Sequence, residues 1–75
     1  MKLPLLSAKE IIRALEKAGF KVIRQKGSHI SLYRRSDTKT YLVVVPTKPE
    51  VKRGTLLSII KQAGMSKEDF FRLLN

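Results

Sequence analysis

Apolar positions change rhythm several times along the chain. Ala8, Ile11, Ile12, Leu15 and Ala18 recur at three- and four-residue intervals, which puts them on one face of a helix. Ser7-Ala8-Lys9-Glu10 before them has the form of a capping box: the Ser7 hydroxyl can accept from the Glu10 amide while the Glu10 carboxylate reaches back. Leu6 and Ile11 suit the flanking hydrophobic staple, and Gly19 stands where a left-handed cap ends a helix. The spacing therefore predicts a first helix over about residues 8–18.

From Phe20 the period falls to two. Phe20 and Val22 alternate with polar or basic neighbours as far as Gln25, and Lys26-Gly27 supplies a turn. On the strand that follows, Ile30 and Leu32 share the face expected to meet the core, while His29, Ser31 and Tyr33 share the other. Arg35 to Lys39 reads as a polar connector, and Thr40 to Val45 as a β-branched third strand stopped by Pro46. Short loops between three successive strands predict an antiparallel meander. Pro46-Thr47-Lys48-Pro49 must be a loop, after which Leu56, Leu57, Ile59, Ile60 and Ala63 form a second apolar helix face ending at Gly64. Ser66 and Asp69 then cap a short last helix carrying Phe70, Phe71, Leu73 and Leu74, the two phenylalanines being expected in the core. The expected fold is α+β, in the order α-β-β-β-α-α, with a three-stranded antiparallel sheet packed against helices. At 75 residues it is expected to be a single domain, residues 1–75.

Charge changes this picture from a generic fold to a surface with a target. Sixteen Lys and Arg against six Asp and Glu give a formal charge of +10, spread along the chain rather than gathered in a tail. Such an excess on so small a surface points to a nucleic acid or a strongly acidic protein. The plainer reading, solubility alone, accounts less well for Lys26, Arg34, Arg35, Lys48, Lys52 and Arg53 falling near predicted strand ends and turns. With no cysteine and one histidine, the sequence offers neither a disulfide framework nor a cysteine- or histidine-based metal site, and no cofactor is expected. The stretch from Leu3 to Leu6, interrupted by Pro4, is too short for an export signal or a membrane span, so a cytoplasmic protein without membrane attachment is expected.

Candidate chemistry centres on Lys26-Gly27-Ser28-His29-Ile30. An imidazole can take or give a proton near neutral pH. A glycine turn beside it lets a phosphate approach the backbone, and RNA carries its own nucleophile in the 2′-hydroxyl. An isolated strand histidine is more often an idle surface residue, so its placement in the turn carries the argument. Ser28 faces the other way on a regular strand and has no acidic neighbour to complete a serine-hydrolase arrangement; it is expected as a turn residue touching RNA. Ser31 and Tyr33 could hydrogen-bond a phosphate or stack a base, although such residues more often form only the solvent face of a strand. Lys52-Arg53-Gly54-Thr55 is either a phosphate grip at a helix start or a solvated start capped by Thr55. His29 is thus the catalytic candidate, with Lys26, Gly27, Ser28, Arg34, Lys48, Lys52 and Arg53 as the RNA-binding set.

Several segments resemble a known family. Gly27-Ser28-His29 opening the second strand and Val44-Val45-Pro46 closing the third are two of them. Arg53-Gly54-Thr55-Leu56, Ile60-Lys61-Gln62-Ala63-Gly64-Met65-Ser66 and Asp69-Phe70 follow in order. Together they resemble the HicA (YcfA-like) toxin family over nearly the whole chain. The resemblance implies a fold like the double-stranded RNA-binding domain and an RNA-cleaving toxin of a type II toxin–antitoxin pair. It further implies action on messenger RNA, inhibition by a HicB-like antitoxin, and catalysis by His29. Many members carry a second histidine in a longer loop after the strand-three proline, where this chain has Lys48 in a shorter one. Three functions stay open on the residues: a metal-independent endoribonuclease, a non-catalytic RNA-binding module of the same fold, and a basic protein that only binds an acidic partner.

Overall fold

The computed structural model describes residues 5–74. Helix α1 (Ala8–Lys17) is followed by strands β1 (Lys21–Lys26), β2 (His29–Arg35) and β3 (Thr40–Pro46), then by helices α2 (Arg53–Gln62) and α3 (Lys67–Arg72). The strands form one antiparallel sheet in the order β1-β2-β3. This is the expected α+β layout. Part of the Leu3 to Leu6 stretch lies outside the described residues, and no described helix is long and apolar enough to cross a membrane.

Local sequence explains the ends of α1. The Glu10 amide donates to Ser7 Oγ at 3.2 Å and the Ser7 amide donates to Glu10 Oε1 at 3.0 Å, so two otherwise orphaned groups satisfy each other. Leu6 and Ile11, the staple residues, are both buried. At the other end Gly19 takes φ +99°, a conformation that costs glycine nothing and other residues a clash. The chain reverses there and delivers Phe20 into the core.

Burial is confined to one face of the sheet. Leu32, Val43 and Val45 point into the layer formed by Ile11 and Leu15 of α1, Leu56, Ile59 and Ile60 of α2, and Phe70 of α3. Each such side chain contributes about 1.5–3 kcal/mol when fully buried, so this cluster is the main source of stability. Phe71 packs against it from the side.

Two expectations fail at the margins. Val22, which with Phe20 alternates with polar or basic neighbours, is 46% exposed although that period ordinarily leads to burial. A bulge between Val22 and Arg24 breaks the period, and β1 is an edge strand on the side away from β3, against which α1 and α2 pack. Leu57, read as part of the second helix face, is also exposed. The outer edge of β3 is covered differently: Gln62 Oε1 accepts a long, 3.4 Å bond from the Val44 amide.

Gly64 fixes how α2 turns towards α3. Its φ is +71°, and a Cβ there would overlap the ring of Tyr41. Gly64→Ala is therefore expected to cost about 2–4 kcal/mol through backbone strain and overpacking. Thermal denaturation should show a fall in Tm on the order of 10 °C, and an unchanged midpoint would overturn this account of the turn.

Candidate functional site

Gly27 and Ser28 form the two-residue turn between β1 and β2, one position later than the Lys26-Gly27 turn read from sequence. Gly27 has φ +57° and meets nothing within 4 Å of a notional Cβ, so backbone conformation rather than space demands glycine. The turn sets His29 as the first residue of β2, paired with Lys26 of β1 and Pro46 of β3. Directly opposed residues project to the same side of a sheet with Cβ atoms about 4.5–5.5 Å apart, so the imidazole stands between a lysine and a proline ring. It is exposed, on the face away from the core.

The loop after β3 is drawn to the same end. The Thr47 amide donates to the Ser28 carbonyl at 2.8 Å, the Lys48 amide to the Pro46 carbonyl at 2.9 Å, and the Ala8 amide to the Lys48 carbonyl at 3.0 Å. One residue past Glu50, the Val51 amide donates to the Leu6 carbonyl at 2.7 Å. Three of these bonds tie the loop to the β1–β2 turn and to the start of α1, the Lys48–Pro46 bond being internal to the loop, and they hold Lys48 through its backbone. Behind it, on the helix side of the sheet, Ala8, Ile12, Ile30 and Pro49 line an apolar groove of about 430 Å³. Because Ile30 and His29 project to opposite faces, the groove and the imidazole do not share a surface.

Lys26, Gly27, Ser28, His29 and Lys48 are accordingly brought together at one end of the sheet. Lys52 and Arg53 follow at the start of α2, reached through the same loop. Lys52 is the N-cap and gives no side-chain cap; Thr55, the alternative capping residue, lies inside the first turn, which holds no acidic residue. The start of α1 is closed by contrast: the Ser7 amide and hydroxyl, with a smaller contribution from Arg13, hold the Glu10 carboxyl below its usual value, keeping a negative charge at that helix end.

Arg34 stands apart from this cluster. It is near the other end of β2, paired with Tyr41 on the core side, and its guanidinium lies 4.9 Å from the Tyr41 ring centroid and 5.6 Å from that of Phe20. Its Nε is buried without a hydrogen-bond partner, and its stem meets Gly19. A cation held between two rings serves packing.

Sequence reasoning missed four residues around this end and face of the sheet. Arg24 shares the His29 face because the bulge restores its pairing with Ser31, and no periodicity rule places a bulge. Leu42 and Val44 were read only as strand formers, whereas their pairing with Tyr33 and Ser31 puts them on the open face. Thr47 acts through its backbone amide, which leaves no side-chain signal. Among the described residues no three of His, Cys, Asp and Glu gather in a way that could hold a metal ion.

The family described as the HicA toxin of bacterial toxin–antitoxin systems matches residues 8–65, from the first turn of α1 to the residue after Gly64. The chain belongs to the HicA toxin family. Membership makes it the toxin of a toxin–antitoxin system, with a cognate partner. No curated protein matches the chain.

Arg34→Ala in this toxin is expected to lower stability by about 1–2 kcal/mol through the lost ring contacts and stem packing. RNA affinity per folded molecule should stay within about twofold. Chemical denaturation and an RNA titration of the same preparation check both, and a large loss of affinity at unchanged stability would return Arg34 to the binding surface.

Proposed function

We propose that this toxin is an endoribonuclease that cleaves messenger RNA by intramolecular attack of the ribose 2′-hydroxyl, with His29 as its proton carrier. The observation that supports the reading is the exposed imidazole fixed at the mouth of the hairpin between Lys26 and Pro46, with the Lys48 loop bonded to the same turn. In the step, the 2′-oxygen bonds to phosphorus, the bond to the 5′-oxygen breaks, and the products are a 2′,3′-cyclic phosphate and a 5′-hydroxyl. His29 either accepts the 2′-hydroxyl proton or donates a proton to the leaving 5′-oxygen. Water or a lysine ammonium serves the opposite end, since no second imidazole exists in the chain. Lys26 and Lys48 stabilise the extra negative charge that gathers on the phosphoryl oxygens in the transition state. Gly27 and Ser28 present backbone to the phosphate, and Lys52 and Arg53 hold the strand further along. No metal is required by this scheme, and work on messenger RNA places the toxin in the cytoplasm.

His29→Ala is expected to abolish cleavage and growth arrest while fold and most RNA affinity survive, because the side chain is exposed and does not pack. Cleavage of a defined transcript by purified protein, with circular dichroism as the fold control, is the measurement. A folded His29→Ala protein that cuts at the wild-type rate would sink the assignment. RNA bound but never cut by wild-type protein would favour the non-catalytic RNA-binding module instead.

The cognate partner is proposed to be a HicB-like antitoxin that covers the His29 face. A basic, exposed site is the strongest electrostatic target for an acidic protein as well as for RNA. The toxin–antitoxin complex should therefore not cleave the transcript, and dissociation in high salt followed by desalting of the toxin should restore cutting. Free cleavage by toxin that remains fully bound would show that inhibition, if any, works elsewhere.

A further inference from the structure

Strand register arranges the open face of the sheet into three columns of different chemistry. Across β1, β2 and β3, one row reads Lys26, His29, Pro46; the next Arg24, Ser31, Val44; the third Lys21, Tyr33, Leu42. Each row runs from a cation through a polar or aromatic group to an apolar side chain. Leu42 is 56% exposed, Val44 38% and Tyr33 36%, so the apolar column is solvent-facing despite its composition. None of Lys21, Arg24 and Lys26 is in an ion pair among the described residues. The three strands carry five Lys and Arg, in KVIRQK and HISLYRR, and no Asp or Glu.

We propose that this face is a binding platform for single-stranded RNA, with the phosphates on the Lys21–Arg24–Lys26 column and the bases on Tyr33, Leu42 and Val44. The proposal rests on the RNA-cleaving reading above and extends it by assigning the strand a side and a direction of approach. Successive rows are about 6.5 Å apart, close to the repeat of an extended sugar–phosphate backbone. A strand lying along β2 would therefore meet one row per nucleotide and bring one phosphate to the Lys26–His29 row. Stacking on a ring together with a basic track is how sequence-tolerant single-strand binders work. A duplex has its bases turned inward and offers nothing to the apolar column. A protein occupant would find the same apolar strip, but one flanked by a line of like charges at a single edge, a pattern that suits a polymer with charge along one side.

The test uses full-length protein carrying His29→Ala, so that RNA survives, with fluorescein-labelled RNA of about ten nucleotides, single-stranded or as a duplex, read by anisotropy. Single strands should bind at least tenfold more tightly than duplex. Adding Arg24→Ala should weaken binding and lower the slope of log affinity against log salt by about 0.7, one phosphate's worth. Tyr33→Ala should weaken binding about tenfold at unchanged slope, Tyr33→Phe should restore it, and Leu42→Asp should weaken it further. Lys9→Ala, on α1 and off this face, serves as the control and should leave affinity within twofold. Tighter binding of duplex, or wild-type affinity in both Arg24→Ala and Tyr33→Ala, overturns the platform and favours a helix-borne surface. RNA affinity unaffected by these changes while antitoxin binding is lost assigns the face to the protein partner and also overturns it. The two readings fail separately: a wild-type protein that never cuts RNA removes the catalytic role of His29 while this titration still stands, and unimpaired cutting by Tyr33→Ala removes the platform alone.

Discussion

One-sided burial of β2 and β3 is the constraint on which the rest of the structure depends. Leu32, Val43 and Val45 have no exposed surface and interlock with Ile11, Leu15, Leu56 and Ile59 from the helices. A strand's side chains alternate strictly, so burying those three fixes the outward direction of Tyr33, Leu42 and Val44 and, through β2, of His29. Slipping β2 by one residue would bury the imidazole and expose Leu32. The apolar core therefore orients the candidate chemistry without any core atom touching it.

Direction alone does not place the residues at the sheet end. That is done by backbone bonds among segments distant in sequence: Thr47 to Ser28, Ala8 to Lys48, and Val51 to Leu6. The start of α1, the β1–β2 turn and the β3–α2 loop become one assembly. Such ties suit a phosphate site, because a flexible lysine positions charge well only when its own backbone is held. They also hold the backbone of Lys48 at the same end of the sheet as the β1–β2 turn.

Element order, the capping box at Ser7 and Glu10, the faces of β2 and the exposed position of His29 were legible in the sequence because each depends on local chemistry or on period. The features that were not legible depend on partners far along the chain. Val22 keeps an apolar–polar period but lies on the edge strand away from β3, against which α1 and α2 pack. Arg34 has the charge of a ligand contact, yet lies between Phe20 and Tyr41, a position set by the register of β2 against β3. Arg24 needed the bulge, and Thr47 acts through its amide. Charge counts could not sort lysines and arginines by face.

Acid placement completes the logic of the open face. The six Asp and Glu residues all fall outside the strands, in α1, α3 and the connecting loops, so nothing on the sheet neutralises its cations. An exposed sheet with an apolar strip and an uncovered edge is ordinarily prone to self-association. Here a second copy would bring Lys21, Arg24 and Lys26 against like charges, and the bulge at Val22 twists the edge out of pairing register. The same residues that discourage contact between toxin molecules attract a polyanion or an acidic partner. If both take the proposed face, occupancy by one excludes the other, and coverage alone then silences the toxin without any rearrangement of its core.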